Sequence, residues 1–196
     1  MTEPAFPYVM TSERVGLGVP DASLLPLCER WFNDYQTART LGVNWHPLTT
    51  TIKGKYLEDM LTSDSTNFVI HELQSGRPVG LTGLDHIEPV DGTAEFSIVI
   101  GEKSFWGRGL GTEATRLMLE YAFDVLGLFN VWLQVTSNNP AGIRAYEKAG
   151  FKRIGVRRLS VRVGRDILDD VYMDAIADDF EPSGLASVMH PPENAG

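Results

Sequence analysis

Cysteine and long apolar segments are almost absent from this chain of 196 residues. The single cysteine, Cys28, excludes an internal disulfide. No segment approaches the roughly 20 apolar residues of a membrane-spanning helix, and the N-terminal MTEPAFPYVM lacks the basic start and apolar run of a signal peptide. We therefore expect a cytoplasmic protein without a membrane partner.

Basic residues are in the minority. The chain has 17 Lys and Arg against 26 Asp and Glu, which gives a net charge of -9 at pH 7. Nucleic-acid binding needs clustered cations that displace counterions from phosphates, so we expect no nucleic-acid partner. An acidic surface suits cationic partners instead.

The motifs of common hydrolytic and metal centres are also missing. The four histidines, His46, His71, His86 and His190, are scattered, and the sequence has neither a cysteine pair nor an HExxH motif. It also lacks the G-x-S-x-G turn that would anchor a hydrolase triad. The sequence therefore predicts no metal and no Ser-His-Asp centre.

The sequence has no repeat and no interior linker, which favours a single domain over residues 1–180. The remaining residues, 181–196, are rich in Pro, Gly and small side chains and are expected to form a flexible tail.

Apolar spacing predicts helices around an antiparallel meander. Helices are expected from an Asp21 cap, over 50–61, from Thr112 to Val125, and from an Asn139 cap to Gly150. Strands are expected on both sides of Ser75-Gly76-Arg77, over 94–101 and 131–136, and over 157–163 and 167–175. A parallel pairing across the long helix is natural, so the order predicts an α+β fold with a mixed sheet.

A glycine-rich segment, Trp106-Gly107-Arg108-Gly109-Leu110-Gly111-Thr112, separates a strand from the long helix. Free backbone N–H groups and the helix dipole at such a position favour a phosphate or pyrophosphate, and Arg108 would add a cation. Alternatively, the glycines have only a structural role and allow the chain to turn before the helix. Thr112 stands where a Rossmann motif needs glycine and where a P-loop needs lysine, which excludes both.

Two motifs resemble those of the GNAT superfamily of acetyl-CoA-dependent N-acetyltransferases. The loop reads WGRGLG where the family has [QR]-x-x-G-x-[GA], and the segment from Asn139 to Phe151 is similar to the family's Asn-x-x-[AS]-x-x-x-Tyr-[EK]-[KR]-x-Gly-Phe. Trp106 and Gly142 depart from the usual residues. Over residues 12–180 the chain resembles the branch of ribosomal-protein N-terminal and spermidine acetyltransferases.

The resemblance implies acetyl-CoA as cosubstrate, a mostly antiparallel sheet with splayed parallel strands, and a set of site residues. The cofactor would contact Ile98, Val99 and Ile100 on the strand, Trp106, Gly107, Arg108, Gly109, Leu110, Gly111 and Thr112 in the loop, and Asn139. Tyr146 occupies the position of the family tyrosine that protonates or hydrogen-bonds the leaving sulfur.

Acetyl transfer also requires that the amine lose a proton. Glu95 alternates with Phe96, Ile98 and Ile100 along its strand and faces the other side. It is our candidate to accept this proton or to bind the cation. Asp85 and His86, expected on a loop, are alternatives. The plainer reading makes Tyr146 a core residue and Glu95 a solvated surface residue.

The acceptor amine stays open between a protein N-terminus, a polyamine and a small-molecule amine. Family resemblance places the acceptor pocket near ARTLGVNWHPLTT, where Trp45 and His46 would line it. A homodimer is expected by resemblance. The alternative function is a non-catalytic acyl-CoA-binding sensor or protein-interaction module.

Overall fold

An eight-stranded sheet organises the computed structural model, which describes residues 8–41 and 65–181. The strands are β1 Met10–Thr11, β2 Val15–Gly18, β3 Thr66–Glu72, β4 Arg77–Glu88, β5 Thr93–Ile100, β6 Asn130–Thr136, β7 Lys152–Val163 and β8 Asp166–Ile176. The helices are α1 Leu25–Phe32, α2 Tyr35–Ala38, α3 Leu110–Glu120 and α4 Pro140–Ala149. Short 3-10 turns cover Ala22–Leu24, Lys103–Phe105 and Ala177–Asp179.

The strand order is β1-β2-β3-β4-β5-β6-β8-β7, and β5 and β6 form its parallel pair. These two strands pair only at Thr93 with Asn130, Ala94 with Val131 and Glu95 with Trp132. Beyond Glu95, β5 continues along β4 and β6 continues along β8, so the parallel strands splay apart. The predicted mixed, mostly antiparallel sheet is confirmed, and its splay opens a cleft in the middle of the sheet.

Apolar side chains cover both faces of the sheet. On one face, Leu117 and Met118 of α3 and Ile143 of α4 pack with Phe96 of β5. On the other face, Leu24, Cys28 and Trp31 pack against Val69, Leu81 and Val99. Burying each large apolar side chain contributes about 1.5–3 kcal/mol. The two layers therefore enclose β5 on both faces.

Most of the helices and strands predicted from local sequence are present among the described residues. Asp21 caps the first helical segment by accepting a hydrogen bond from the Ser23 N–H at 2.7 Å. The long helix begins two residues earlier than predicted, at Leu110, and its α-helical part ends at Glu120. A π-helical turn, Tyr121–Val125, completes the predicted length. The helix predicted over 50–61 lies outside the described residues.

The placement of Asp85 and His86 on a loop was wrong. Both lie within β4, which continues to Glu88 through a β-bulge between Asp85 and Glu88. His86 has a φ of 49°, a left-handed conformation that is rare for residues other than glycine. The bulge absorbs the extra residue, so pairing resumes where Glu88 meets Thr93.

Candidate active site

A cleft of about 1080 Å³ lies where β5 and β6 separate. Its described walls come from β5, the glycine loop, the starts of α3 and α4, and α2. It is lined by nearly all of the predicted site residues: Glu95, Ile98, Val99, Ile100, Trp106, Gly107, Gly109, Leu110, Gly111, Thr112, Asn139 and Tyr146. The splayed strands therefore bring the two predicted catalytic residues and the loop to one cavity.

The glycine loop forms the end of the cleft at the start of α3. Gly107 and Gly109 have φ values of 73° and 85°, which a side chain would strain. Gly109 is the N-cap of α3, and no described side chain accepts a hydrogen bond from this helix end. The N–H groups of the first turn are therefore left to bind an anion.

The first loop residue, Trp106, fixes the loop to the preceding strand. Its indole Nε1 donates a hydrogen bond of 2.6 Å to the carbonyl of Ile100, the last residue of β5. An indole N–H is a donor only and suits this strand-end carbonyl. The tryptophan thus has a structural role where the family motif usually has glutamine or arginine.

Arg108 is the one predicted cofactor residue that is not part of the described cleft wall. Its guanidinium carbon lies 5.0 Å from the centre of the Phe105 ring, within the range of a cation–π contact. Its carbonyl accepts a hydrogen bond of 2.7 Å from Nη1 of Arg14. Sequence reasoning did not single out Arg14, because it lies 94 residues before Arg108.

Tyr146 lies on α4 and projects into the cleft beside two phenylalanines. Its ring makes edge contacts with Phe96 and Phe151, at centroid distances of 6.2 and 6.1 Å. Burial raises the pKa of Tyr146 to about 12. The phenol therefore keeps its proton at neutral pH, and no described residue hydrogen-bonds the hydroxyl, so it can donate to a group bound in the cleft.

Glu95 belongs to a polar cluster on the opposite face of β5 from Phe96, as predicted. Its Oε2 lies 3.0 Å from Nδ1 of His86, and its side chain is 19% exposed against 77% for the histidine. Asp85 is directly opposite Glu95 on β4, and its Oδ2 accepts a hydrogen bond of 3.1 Å from the Ser97 hydroxyl. The bulge thus brings the three candidate bases together, although only Glu95 of them lines the cleft.

Asn139 caps α4, as predicted. Its Oδ1 accepts a hydrogen bond of 2.9 Å from the Gly142 N–H, and Pro140 occupies the first helical position. A β-carbon on Gly142 would lie 2.7 Å from Nδ2 of Asn139. The departure to glycine at position 142 therefore gives the capping side chain room.

Among the described residues, no group of three or more His, Cys, Asp or Glu side chains is arranged to hold a metal ion. Within the same residues, no helix is long and apolar enough to cross a membrane. Trp45, His46 and His190 fall outside them.

The model of the acetyltransferase (GNAT) domain matches residues 17–152. The chain belongs to the GNAT acetyltransferase family. The matched residues include the splayed strands, the glycine loop and α4, so the family assignment rests on the segments that form the cleft.

Several proteins are similar to this GNAT acetyltransferase. Spermidine N(1)-acetyltransferase of Escherichia coli (strain K12) is 40% identical over 76 residues, which cover 39% of this chain and 40% of that protein. The uncharacterised N-acetyltransferase p20 of Bacillus licheniformis is 24% identical over 75% of this chain and 83% of its own length. The sequence match to the E. coli enzyme thus spans about two fifths of that relative.

Solved structures share the fold. The structure of spermidine N-acetyltransferase from Vibrio cholerae in complex with CoA and spermine superposes with a TM-score of 0.78 at 20% identity, covering 86% of this chain and 98% of that one. This likeness supports the fold described above.

Proposed function

We propose that this GNAT acetyltransferase transfers the acetyl group of acetyl-CoA to a primary amine, with Tyr146 as acid and Glu95 as base. The observation that carries the proposal is the shared cleft: the glycine loop, Tyr146 and Glu95 all line the opening between β5 and β6. A single molecule bound along that opening would contact the loop at one end and both side chains further along.

The residues present fit acetyl-CoA, which supplies an acetyl thioester when bound. The uncapped first turn of α3 offers N–H groups to the pyrophosphate. Beyond Glu95, the side of β5 that faces β6 has no strand partner among the described residues, so the backbone of Ile98, Val99 and Ile100 is available to the pantetheine arm. Asn139 would add a polar contact at the start of α4.

Tyr146 donates a proton or a hydrogen bond to the sulfur that leaves. Its raised pKa keeps the phenol protonated across the pH range in which an amine can be deprotonated. The rings of Phe96 and Phe151 pack edge-on against the phenol and support its position. A fixed donor in a partly apolar cleft stabilises developing negative charge better than a mobile one in water.

Glu95 removes the proton from the incoming ammonium group. Its carboxylate is mostly shielded from solvent, and the contact with His86 holds one of its oxygens. The other oxygen is left to accept the proton, which frees the nitrogen lone pair for attack on the acetyl carbon.

Among the three acceptor classes, we favour a polyamine. Asp85 and Glu95 are neighbours across β4 and β5, and the whole chain carries a charge of -9. A polycation would gain more from both features than an amine with a single positive charge would. The names of the E. coli and V. cholerae relatives point to the same class.

We also propose a homodimer. The described edge strand β7 exposes Ile154, Val156 and Leu159, and a second copy would cover these apolar side chains. Sedimentation at equilibrium tests this, and a mass of one chain at micromolar concentration contradicts it.

Calorimetric titration with acetyl-CoA tests the cofactor site first. We expect saturable binding, tighter than that of adenosine diphosphate. Thiol release is then measured with spermidine, a peptide with a free N-terminus and a simple alkylamine, with a reaction lacking amine as the background. If acetyl-CoA binds but none of the three amines causes thiol release above the background, the amine-transfer proposal is overturned.

A further inference from the structure

Arg14 connects the N-terminal hairpin to the glycine loop. It lies between β1 and β2, and its Nε and Nη2 each approach Oε2 of Glu113 at 2.9 Å. The third guanidinium nitrogen, Nη1, donates to the carbonyl of Arg108 at 2.7 Å. One planar cation therefore holds the loop and the first turn of α3 together.

Glu113 is fully engaged by the same hairpin. Its Oε1 accepts hydrogen bonds from the Ser12 hydroxyl at 2.7 Å and from the Arg14 N–H at 2.8 Å, and its side chain is 16% exposed. Burial opposes ionisation, but these hydrogen bonds and the guanidinium charge outweigh it and lower the pKa of Glu113. A charged carboxylate thus lies four residues after Gly109, close to where the pyrophosphate would bind.

The contact to Arg108 also fixes the direction of the next N–H. In a planar trans peptide, the carbonyl of one residue and the N–H of the following residue point in opposite directions. Since the Arg108 carbonyl points toward Arg14, the Gly109 N–H points away from it. Gly109 lines the cleft and Arg108 does not, so this orientation suits a bound anion.

We propose that Arg14 is a positioning residue for the cofactor: it orients the Arg108–Gly109 peptide so that the Gly109 N–H faces the pyrophosphate, and it neutralises Glu113 beside that site. The inference rests on the proposed cofactor site. Arginine suits both tasks because its rigid fork binds a carboxylate and a carbonyl at once, which the single ammonium of lysine cannot do.

The test measures acetyl-CoA affinity by calorimetry in the parent and in four variants, after thermal unfolding has shown that each is folded. Arg14→Ala should weaken binding on the order of tenfold, since it frees the peptide and exposes an unpaired carboxylate near the phosphates. Arg14→Lys should remain weakened because it keeps the charge and loses the fork. Glu113→Gln alone should weaken binding less than Arg14→Ala does, because the amide oxygen still accepts from the guanidinium. Arg14→Ala with Glu113→Gln should recover part of the loss.

The matched control is Lys152→Ala. Lys152 forms an exposed ion pair with Asp179 at 2.7 Å, on the edge strand β7, so its removal subtracts the same charge away from the loop. Its affinity should equal that of the parent. With saturating acetyl-CoA, the kcat of every variant should be close to the parent value, because the defect lies in binding.

Each result has one meaning. A parent that does not bind acetyl-CoA overturns the cofactor site and this inference with it. If the parent binds and Arg14→Ala binds equally well, only the inference fails. If Arg14→Lys binds acetyl-CoA as tightly as the parent, the proposal that the arginine fork orients the Arg108–Gly109 peptide is rejected. If Arg14→Ala is unfolded, the lysine variant carries the decision, and parent-like affinity in that variant overturns the role of the fork.

Discussion

At the scale of single residues, the proposed acid Tyr146 can be tested by removing only its hydroxyl group. Changing Tyr146 to Phe removes the phenolic proton and keeps the ring contacts with Phe96 and Phe151. We expect kcat to fall on the order of a hundredfold, with the acetyl-CoA dissociation constant within about twofold, because the hydroxyl acts in the transition state. Steady-state kinetics and calorimetry measure the two quantities.

The control for this change is Tyr121→Phe. Tyr121 is a partly buried aromatic whose ring packs edge-on against Phe68, at a centroid distance of 5.3 Å, and it is not part of the described cleft wall. The Tyr121→Phe variant should therefore have the same kcat as the parent. Equal turnover in the Tyr146→Phe variant and the parent would reject the acid role.

The buried cysteine provides a residue-scale prediction on pH. Cys28 is 2% exposed, and burial raises the pKa of its thiol to about 11. The thiolate is the reactive form, so at pH 8 iodoacetamide should label the folded protein on the order of 100-fold more slowly than the unfolded protein. Because the folded pKa is raised, the thiol favours folding below pH 9, and this contribution is lost as pH rises through 11. Mass spectrometry follows labelling, and equal rates in buffer and in urea would contradict the burial.

At the scale of elements, Asn139 separates a structural role from a binding role. Asn139→Ala should lower the free energy of unfolding by about 1 kcal/mol, because it removes the acceptor for the Gly142 N–H at the start of α4. Asn139→Asp keeps that acceptor and should unfold like the parent. If Asn139 also contacts the cofactor, the aspartate should weaken acetyl-CoA binding, since its charge repels phosphate. Urea denaturation and calorimetry measure the two effects, and a stable aspartate variant with parent affinity leaves Asn139 as a cap only.

Elements that carry their own signals could be predicted from the sequence. The Asp21 and Asn139 caps, the glycine turn at Gly76 and the strand before the glycine loop depend on residues within a few positions of one another. The Arg14–Glu113 pair joins residues 99 positions apart, and the chain between them gives no local sign of it. The bulge at His86 could not be predicted either, because histidine only modestly favours the left-handed conformation and most histidines do not adopt it.

At the scale of the whole molecule, the mixed sheet could be predicted because a long helix separates two apolar strands, which favours a parallel pairing beside the antiparallel hairpins. The extent of the splay could not, since it depends on β6 leaving β5 after Glu95 to follow β8. Tyr146 and Glu95 were predicted separately, one from a motif and one from alternation along a strand. The two residues line the same cleft because β5 and β6 diverge, and neither local pattern contains that information.

The net charge of the molecule gives a prediction for the acceptor. A chain of charge -9 attracts a polycation from a distance. Salt weakens this attraction, and at 0.1 M ionic strength charges more than roughly 10 Å apart are largely screened from each other. Raising salt from about 0.05 to about 0.5 M should therefore lower kcat/KM for spermidine on the order of fivefold, and for a monoamine of similar length much less. The effect should appear in KM rather than kcat, because screening changes the encounter and leaves the chemistry at Tyr146 untouched. Equal salt responses for the two amines would mean that the acidic surface does not select the acceptor, and a protein N-terminus or a small-molecule amine would then replace the polyamine.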